Sequence, residues 1–313
     1  MLKRSANGTG PIASWQHEEH HSMRQSFWIS QLEVRDLFRK WREENERNSR
    51  EIVDLWETVL MKKVHKLGDE RLLVLEQVCV AALDCNRLDV ADRCVHTLST
   101  EFPTSLRVRR LRVLQLEAME RYDEALELLD SIIKRDETNA APRKRRVAIF
   151  KARGKIPEAI KELTDYLKKF MSDQEGWQEL CELYLMEQDL ARAAFCMEEL
   201  LLHNPHSHLI HQRYAEIKYT QGGFENMELA RAHYCEAIKL NPNNMRALYG
   251  LFLAATNIGL SPKCTSTKKK EAQKLAKWAL HEIALRYERQ SRNKKQVASL
   301  ESLVSSLQIS GTS

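Results

Sequence analysis

Apolar residues along this chain recur every three or four positions, the spacing of one face of an α-helix. The first such segment begins near Gln31 and is followed by a charged stretch from Arg42 to Arg50. A second begins at Ile52 and stops near Gly68, because glycine readily adopts the backbone conformation that ends a helix. The pattern predicts a helical pair before the main body of the chain.

From about residue 72 the pattern repeats every 34 residues. Each step has a small residue, an apolar residue four positions later, and another after three more. The small residues are Ala91, Ala125, Ala159 and Ala193. The apolar positions are Val95, Leu129, Leu163 and Met197, then Leu98, Ile132, Tyr166 and Leu200, with turns at Pro103, Glu137, Met171 and Pro205. A further step of 37 residues reaches Ala230, and we expect the loop at 221–224 to absorb the three extra residues.

The residues at this period predict helix–turn–helix units. A small side chain fits where two antiparallel helices cross closely, and proline cannot continue a helix. The fourth unit resembles the tetratricopeptide pattern most closely, with Trp177, Leu180, Tyr184, Ala193 and Pro205 at the expected offsets. We therefore predict an all-α, tetratricopeptide-repeat superhelical solenoid with N-terminal helices and a C-terminal helical cap. The expected parts are a disordered tail (1–30), a helical pair (31–71), repeats (72–260), capping helices (261–308) and a tail (309–313).

Composition agrees with an all-helical chain, since only 10 Gly and 7 Pro occur among 313 residues. Net charge is +5, but residues 263–295 hold eleven Lys or Arg against three acids. This excess fits a solvated helix face, or contact with an acidic partner or an anionic membrane. The seven cysteines and the absence of a signal-like or membrane-spanning apolar run lead us to expect a cytosolic chain with reduced thiols.

Two histidine groups could hold a metal. His17-Glu18-Glu19-His20-His21 fits the His-Glu-x-x-His motif, but a tail without a packed helix cannot hold a catalytic zinc. A second group, His203, His206, His208 and His211, surrounds a predicted turn, where surface histidines are common and no acid or cysteine completes a ligand set. The phosphate-binding glycine loops and nucleophile motifs are missing, so we expect no cofactor, no small-molecule substrate and no enzyme activity.

In tetratricopeptide arrays the first helix of each unit lines a concave groove with its positions 2, 5, 9 and 12. Counting from residues 106, 140, 174, 208 and 245 gives the predicted partner-binding residues. They are Arg107, Arg110, Lys144, Lys151, Gln178, Glu182, Gln212, Glu216, Tyr219, Arg246 and Tyr249. The groove is then basic in the second and third units and mixed or acidic in the fourth and fifth, which favours an extended partner segment of complementary charge.

Several blocks resemble the second subunit of the endoplasmic-reticulum membrane protein complex over roughly residues 35–309. They include Lys40-Trp41-Arg42-Glu43-Glu44-Asn45, Ala118-Met119-Glu120-Arg121-Tyr122-Asp123, Ala194-Phe195-Cys196-Met197-Glu198-Glu199-Leu200 and Lys218-Tyr219-Thr220-Gln221-Gly222-Gly223. The resemblance implies a peripheral scaffold on the cytosolic face of the membrane. That complex inserts tail-anchored and multi-pass membrane proteins, and its third, fifth and eighth or ninth subunits are the implied partners.

Three other functions fit the residues less well. A co-chaperone adaptor needs Lys and Asn at positions 5 and 9 of one unit, and the pairs here lack the Asn: Glu76/Val80, Arg110/Leu114, Lys144/Ala148 and Gln178/Glu182. RNA-binding helical repeats usually have a period of 35 and read bases through paired polar side chains, so we expect no nucleic-acid partner. A metalloenzyme rests on the tail motif alone.

Overall fold

The computed structural model describes residues 30–290 and Ser302, and within them every regular element is a helix. This confirms the predicted all-α class. The α-helices are α1 (Gln31–Glu43), α2 (Ser49–Leu55), α3 (Arg71–Asp84), α4 (Leu88–Glu101), α5 (Leu106–Ala118), α6 (Tyr122–Arg135), α7 (Ala140–Ala152), α8 (Ile156–Lys169), α9 (Gln174–Met186), α10 (Leu190–His203), α11 (His208–Gln221), α12 (Phe224–Leu240), α13 (Met245–Leu260) and α14 (Ser266–Gln290). A π-helix (Trp56–Leu60) and a 3-10 segment (Met61–Glu70) connect α2 to α3.

The chain divides into two compact units, Met1–Arg145 and Arg146–Ser313. The division falls inside α7, the first helix of the third predicted repeat. The domain boundaries predicted from the sequence stay a prediction. The predicted tails, the His-Glu-x-x-His motif, residues 291–295 of the basic stretch and the end of the predicted capping segment lie outside the described residues, apart from Ser30 and Ser302.

The start of α1 follows from a reciprocal cap. The Glu33 amide donates to Ser30 Oγ over 3.3 Å, and the Ser30 amide donates to Glu33 Oε2 over 2.7 Å. These two bonds satisfy amides that the first turn of a helix leaves without partners. The helical pair is interrupted at Gly68, whose φ of +55° and ψ of −133° are not helical, and α3 begins three residues later.

The 34-residue register is confirmed by the helices themselves. The second helices α4, α6, α8 and α10 begin at Leu88, Tyr122, Ile156 and Leu190, each 34 residues after the one before. The small residues of the pattern have no exposed surface: Ala91, Ala125, Ala159, Ala193 and Ala230. Because a buried alanine leaves two helix backbones close together, the two helices of each repeat pack against each other at this point.

The turn inside each repeat has a left-handed residue at the same register position. These residues are Asn86, Glu120, Gly154, Gln188 and Gly222, with φ between +57° and +73°. In the repeat that contains Asn86, the Arg87 amide donates to the Ala82 carbonyl over 2.7 Å and the Asn86 amide to the Leu83 carbonyl over 3.2 Å. This pair of bonds is the Schellman motif, which satisfies carbonyls at a helix C-terminus.

Two details of the sequence-based prediction were wrong. The loop at 221–224 does not absorb the three extra residues of the fifth unit, because α12 starts 34 residues after α10 and is 17 residues long against 14. The insertion therefore adds almost one helical turn. The polar stretch from 261 to 270 predicts a linker before the capping helices, and this linker is also shorter than expected. Helix α14 begins at Ser266, where the Lys269 amide donates to the Thr265 carbonyl over 2.8 Å and lysines favour the helix that follows.

Each unit has its own apolar core. In the first, Phe38 and Trp41 of α1 pack with ring centroids 5.8 Å apart, and the core continues through α3 and α4. In the second, the core around α11–α14 is rich in alanine, which allows close helix packing. No helix in the described part of the chain is both long and apolar enough to span a membrane.

The seven cysteines are free, and four of them are buried: Cys79, Cys94, Cys181 and Cys196. Burial raises the pKa of the Cys79, Cys94 and Cys196 thiols to about 12 and that of Cys181 to about 11. A thiol with such a pKa stays protonated at neutral pH and is a poor nucleophile. These cysteines act as small apolar core residues.

Candidate partner-binding clefts

In the first unit, a cleft of about 480 Å³ lies against α3 and the segment between α1 and α2. We call it the N-terminal cleft. Its apolar lining includes Leu73 and Val80, which are 42% and 36% exposed. Both residues occupy first-helix positions of the first repeat that the sequence analysis did not include among the partner-binding residues. Counting from residue 72 would have placed them at positions 2 and 9, so the repeat period alone could have identified both residues.

The rim of the N-terminal cleft is basic but paired. Arg107 Nη2 lies 2.5 Å from Glu76 Oε2, and Arg110 Nη2 lies 3.8 Å from Glu76 Oε1. The two arginine side chains are 63% and 53% exposed, whereas that of Glu76 is 17% exposed. The surface offered to solvent here is therefore more cationic than the pairing would indicate.

At the other end of this cleft, Arg47 donates to both oxygens of Asp84, over 2.7 and 2.5 Å. The hydrogen bonds from Arg47 lower the pKa of the Asp84 carboxyl. Arg42 donates to Gln77 over 2.6 Å and Gln77 donates to the Phe38 carbonyl over 3.2 Å. These contacts fix the N-terminal helices on the first repeat, so the cleft has defined walls.

In the second unit, a cleft of about 470 Å³ lies between the first helices α9, α11 and α13, with residues of α10 at its base. We call it the C-terminal cleft. It brings together five predicted partner-binding residues: Gln178, Glu182, Gln212, Glu216 and Arg246. Their partner role stays a prediction, but the structure places them on one surface.

The C-terminal cleft is charged and internally paired. Glu216 accepts from Gln212 Nε2 over 2.9 Å and from Arg246 Nη2 over 3.0 Å, and it lies 3.5 Å from Arg213 Nη1. Arg213 also donates to Glu182 over 3.1 Å. Successive first helices are thus joined by ion pairs. Because Glu182, Arg213 and Arg246 remain substantially exposed, they stay available to a bound segment.

The other predicted residues do not line the C-terminal cleft. Lys144 is half-buried, and the Lys151 ammonium lies 2.7 Å from Glu179 Oε1. The Tyr219 hydroxyl accepts from Asn257 Nδ2 over 2.6 Å. Tyr249 is packed against the core of the second unit, where burial, followed by its hydrogen bond to Tyr287, raises the pKa of its phenol.

A third cleft, of about 450 Å³, was not anticipated by the sequence analysis. It lies between α8, α9 and α10 and is mostly apolar. Met171 and Phe195 at its edge are 67% and 52% exposed. The Trp177 ring lies 6.1 Å from the Phe195 ring in an edge-on arrangement, and its indole N–H donates to the Met171 carbonyl over 2.8 Å. The tryptophan of the repeat pattern is thus fixed at the wall of this cleft.

The expectation that the second histidine group lies on the surface was wrong for His211. This ring is buried, and its Nδ1 lies 2.9 Å from Nδ1 of His233. Its Nε2 lies 2.9 Å from the Pro205 carbonyl, which can only accept, so Nε2 carries the proton and His233 donates to His211. His208 contacts Asn241 and Asn244 over 3.2 and 3.1 Å. Among residues 30–290 and Ser302, no three His, Cys, Asp or Glu side chains gather as metal ligands do.

This chain is a tetratricopeptide-repeat protein, as its repeated helix pairs, their constant spacing along the chain and the clefts on their first helices define. A solved structure of the C-terminal part of a TPR repeat-containing protein from Cytophaga hutchinsonii superposes with a TM-score of 0.56 at 16% identity, covering 84% of this chain and 98% of that one. At this identity the likeness shows the fold alone.

Sequence relatives are more specific. The family described as the EMC2 TPR-like repeat domain matches residues 87–225. ER membrane protein complex subunit 2-A of Xenopus laevis is 49% identical over 262 residues, covering 84% of this chain and 88% of the relative. Subunit 2 of Xenopus tropicalis is 50% identical over 256 residues, covering 82% and 86%. The chain belongs to the ER membrane protein complex subunit 2 family.

Proposed function

We propose that this chain is a non-catalytic scaffold subunit of the ER membrane protein complex, and that its first-helix clefts hold cytosolic parts of the membrane subunits. The observation that carries the proposal is the C-terminal cleft, which gathers five predicted groove residues in a chain of this family. The names of the Xenopus relatives support the choice of complex, since they are called subunits of it.

The chemistry of the C-terminal cleft suits recognition better than catalysis. Glu182 accepts a hydrogen bond from Arg213 and Glu216 accepts one from Arg246, so both carboxylates are already held by guanidinium groups in an open cleft. Exposed charges of both signs around an open cleft give register and specificity to an extended segment more than raw affinity. A scaffold needs these properties.

The finer part of the proposal follows from the family resemblance. The chain would lie on the cytosolic face of the endoplasmic-reticulum membrane, attached through partners. The complex would act as an insertase for tail-anchored and multi-pass proteins, with the insertion step in its membrane subunits. The third, fifth and eighth or ninth subunits are the proposed neighbours. The N-terminal and C-terminal clefts provide two separate places for extended segments of such neighbours.

Co-purification tests this function. The tagged chain is recovered from detergent-solubilised membranes, its companions are identified by mass spectrometry, and a parallel membrane sample is washed at alkaline pH. We expect a fixed set of ER membrane protein complex subunits and release of the chain by the wash. A chain that stays in the cytosol and recovers chaperones, or no stable companion, would contradict the proposal.

A further inference from the structure

Helix α14 buries one face and leaves the opposite face in solvent. The buried face packs in the core around α13 through Ala272, Ala276, Ala279, Leu280 and Ile283, none more than 9% exposed. Successive residues of a helix are about 100° apart, so these five define one stripe. The direction opposite to that stripe falls close to Lys274.

The outward face of α14 is basic and carries an exposed tryptophan. Lys270, Lys277, Trp278 and His281 lie on either side of Lys274, and all five are exposed. Trp278 is 44% exposed, although an indole of this size is normally covered by the fold. Together these five residues are here called the α14 outer face. Over the rise of a helix they extend along about 17 Å of one straight surface.

The lysines of the α14 outer face are available for binding. Within the described residues, Lys270, Lys274 and Lys277 make no ion pair. On the flank of the helix, by contrast, the Lys268 ammonium lies 2.7 Å from Glu228 and 5.7 Å from the ring of Phe224. Two exposed acids lie near the face, Glu271 at its side and Glu288 two turns beyond its end, and the three lysines outnumber them.

The kind of cation on this face indicates the kind of anion it fits. Both cations pair with carboxylates elsewhere in the chain, but the geometry differs: Arg87 donates to both oxygens of Glu57 over 3.1 and 2.6 Å, whereas the Lys268 ammonium donates to one oxygen of Glu228. The α14 outer face has lysine and no arginine. An ammonium is a strongly hydrated point charge without the planar fork that matches a carboxylate. Such charges suit a diffuse anionic surface better than individual carboxylates of a protein segment.

We infer that the α14 outer face binds the anionic surface of a lipid bilayer. The three ammonium groups lie against lipid phosphates, and the Trp278 indole lies at the level of the headgroups, where tryptophan is enriched at membrane interfaces. The apolar stripe of α14 stays on the core, so no helix inserts. The inference rests on the proposed location at the membrane and adds a direct contact to the attachment through partners.

Vesicle flotation of the purified full-length chain tests this contact. Vesicles of phosphatidylcholine alone are compared with vesicles that also contain phosphatidylserine, at low and high salt. We expect binding only to the anionic vesicles and weaker binding at high salt. The variant Lys270→Gln/Lys274→Gln/Lys277→Gln should bind about 100-fold more weakly, because each lysine near an anionic surface contributes about fivefold.

A matched control removes the same charge elsewhere. Lys62, Lys63 and Lys66 are exposed on the 3-10 segment of the first unit, and Lys62→Gln/Lys63→Gln/Lys66→Gln should keep wild-type binding. Thermal unfolding checks that both triple variants are folded. Quenching of tryptophan fluorescence by brominated lipid should be lost in Trp278→Phe, which reports the position of the indole directly.

Three results would overturn the inference. The first is that the wild-type chain does not bind anionic vesicles, and the second is that both triple variants lose binding equally. The third is that the chain does not bind vesicles but binds an acidic peptide, and that Lys270→Gln/Lys274→Gln/Lys277→Gln weakens this binding. The last result would assign the face to a protein partner. Failure here is distinguishable from failure of the proposed function, because companion subunits recovered from membranes are counted independently of vesicle binding.

Discussion

Arg246 on α13 donates to Glu216 on α11, with Arg246 Nη2 3.0 Å from Glu216 Oε2. The pair joins the first helices of two neighbouring repeats along the C-terminal cleft. The Arg246 side chain is 68% exposed, and exposed ion pairs contribute little to stability. The exposed part of the same guanidinium can therefore also meet an acidic group of a bound segment.

We accordingly predict that Arg246→Gln changes the free energy of unfolding by less than about 0.5 kcal/mol and lowers recovery of the companion subunits. Chemical denaturation measures the first effect, and quantitative affinity purification measures the second. Lys239→Gln is the control, because Lys239 is an exposed member of an ion pair with Glu236 on the second helix α12. Equal recovery with both variants would show that Arg246 does not contact a partner.

Gly250 of α13 approaches Tyr234 too closely for any side chain. A Cβ at position 250 would lie 2.8 Å from Tyr234 Oη and closer still to the ring. Gly250→Ala should therefore destabilise the protein by about 1–3 kcal/mol through overpacking. Gly259→Ala in the same helix is the control, because its nearest atom would be Gln273 Cγ at 3.9 Å, and alanine favours the helix. Similar unfolding midpoints for the two variants would disprove the close approach.

Gly154 occupies the left-handed position of its repeat, with φ +68° and no atom within 4 Å of a built Cβ. Gly154→Ala should destabilise by about 1 kcal/mol, through backbone conformation alone. Gly154→Asn should lose less than half as much stability as Gly154→Ala, because asparagine tolerates this conformation and Asn86 adopts it at the same register position. Thermal unfolding of the two variants measures the difference, and a larger loss for Asn would refute this explanation.

Stability of the second unit should depend on the titration of His233. Burial, followed by the neighbouring His211, lowers the pKa of its imidazole from an ordinary value of 6.5. Between the lowered pKa and about 6.5 the unfolded chain binds more protons than the folded chain, so stability is lost as the pH falls through that window. The loss is at most about 1.4 kcal/mol per pH unit. Glu198 and Glu236 act to raise the pKa of His233 and so reduce this loss, whereas Lys218 lowers the pKa further.

Urea unfolding between about pH 5.5 and 7.5 measures this slope. His233→Asn keeps a donor toward His211 without titrating, and it should flatten the pH dependence. His206→Asn changes an exposed histidine of the turn and should leave the slope as in the wild-type chain. If all three proteins show the same slope, the buried histidine pair is not its source.

The repeat register could be predicted from the sequence because its cause is local and periodic. A position that is alanine every 34 residues must be a close helix crossing, and Ala91 and Ala193 are indeed fully buried. The left-handed turns were visible only where glycine marks them, as at Gly154. Glu120 and Gln188 adopt the same conformation, held by Schellman hydrogen bonds that the repeat geometry supplies rather than by residue type.

The candidate clefts were predicted only in part. Helical spacing placed Gln178, Gln212 and Arg246 on first helices, and the structure shows them on one cleft. The charged side chains that pair across helices are about 30 positions apart in the sequence, and no local sequence pattern predicts such pairs. The His211–His233 contact is of the same kind, since it joins α11 to α12 across the repeat.

Photo-crosslinking in intact membranes tests whether the C-terminal cleft holds a segment of a membrane subunit. A photoreactive residue replaces Gln178, which is exposed in that cleft, and in a second protein it replaces Lys239, which is exposed on α12. We expect position 178 to crosslink to a cytosolic segment of a membrane-embedded subunit and position 239 not to do so. Equal crosslinking from both positions, or none from position 178 in a chain that still co-purifies with the complex, would contradict this expectation.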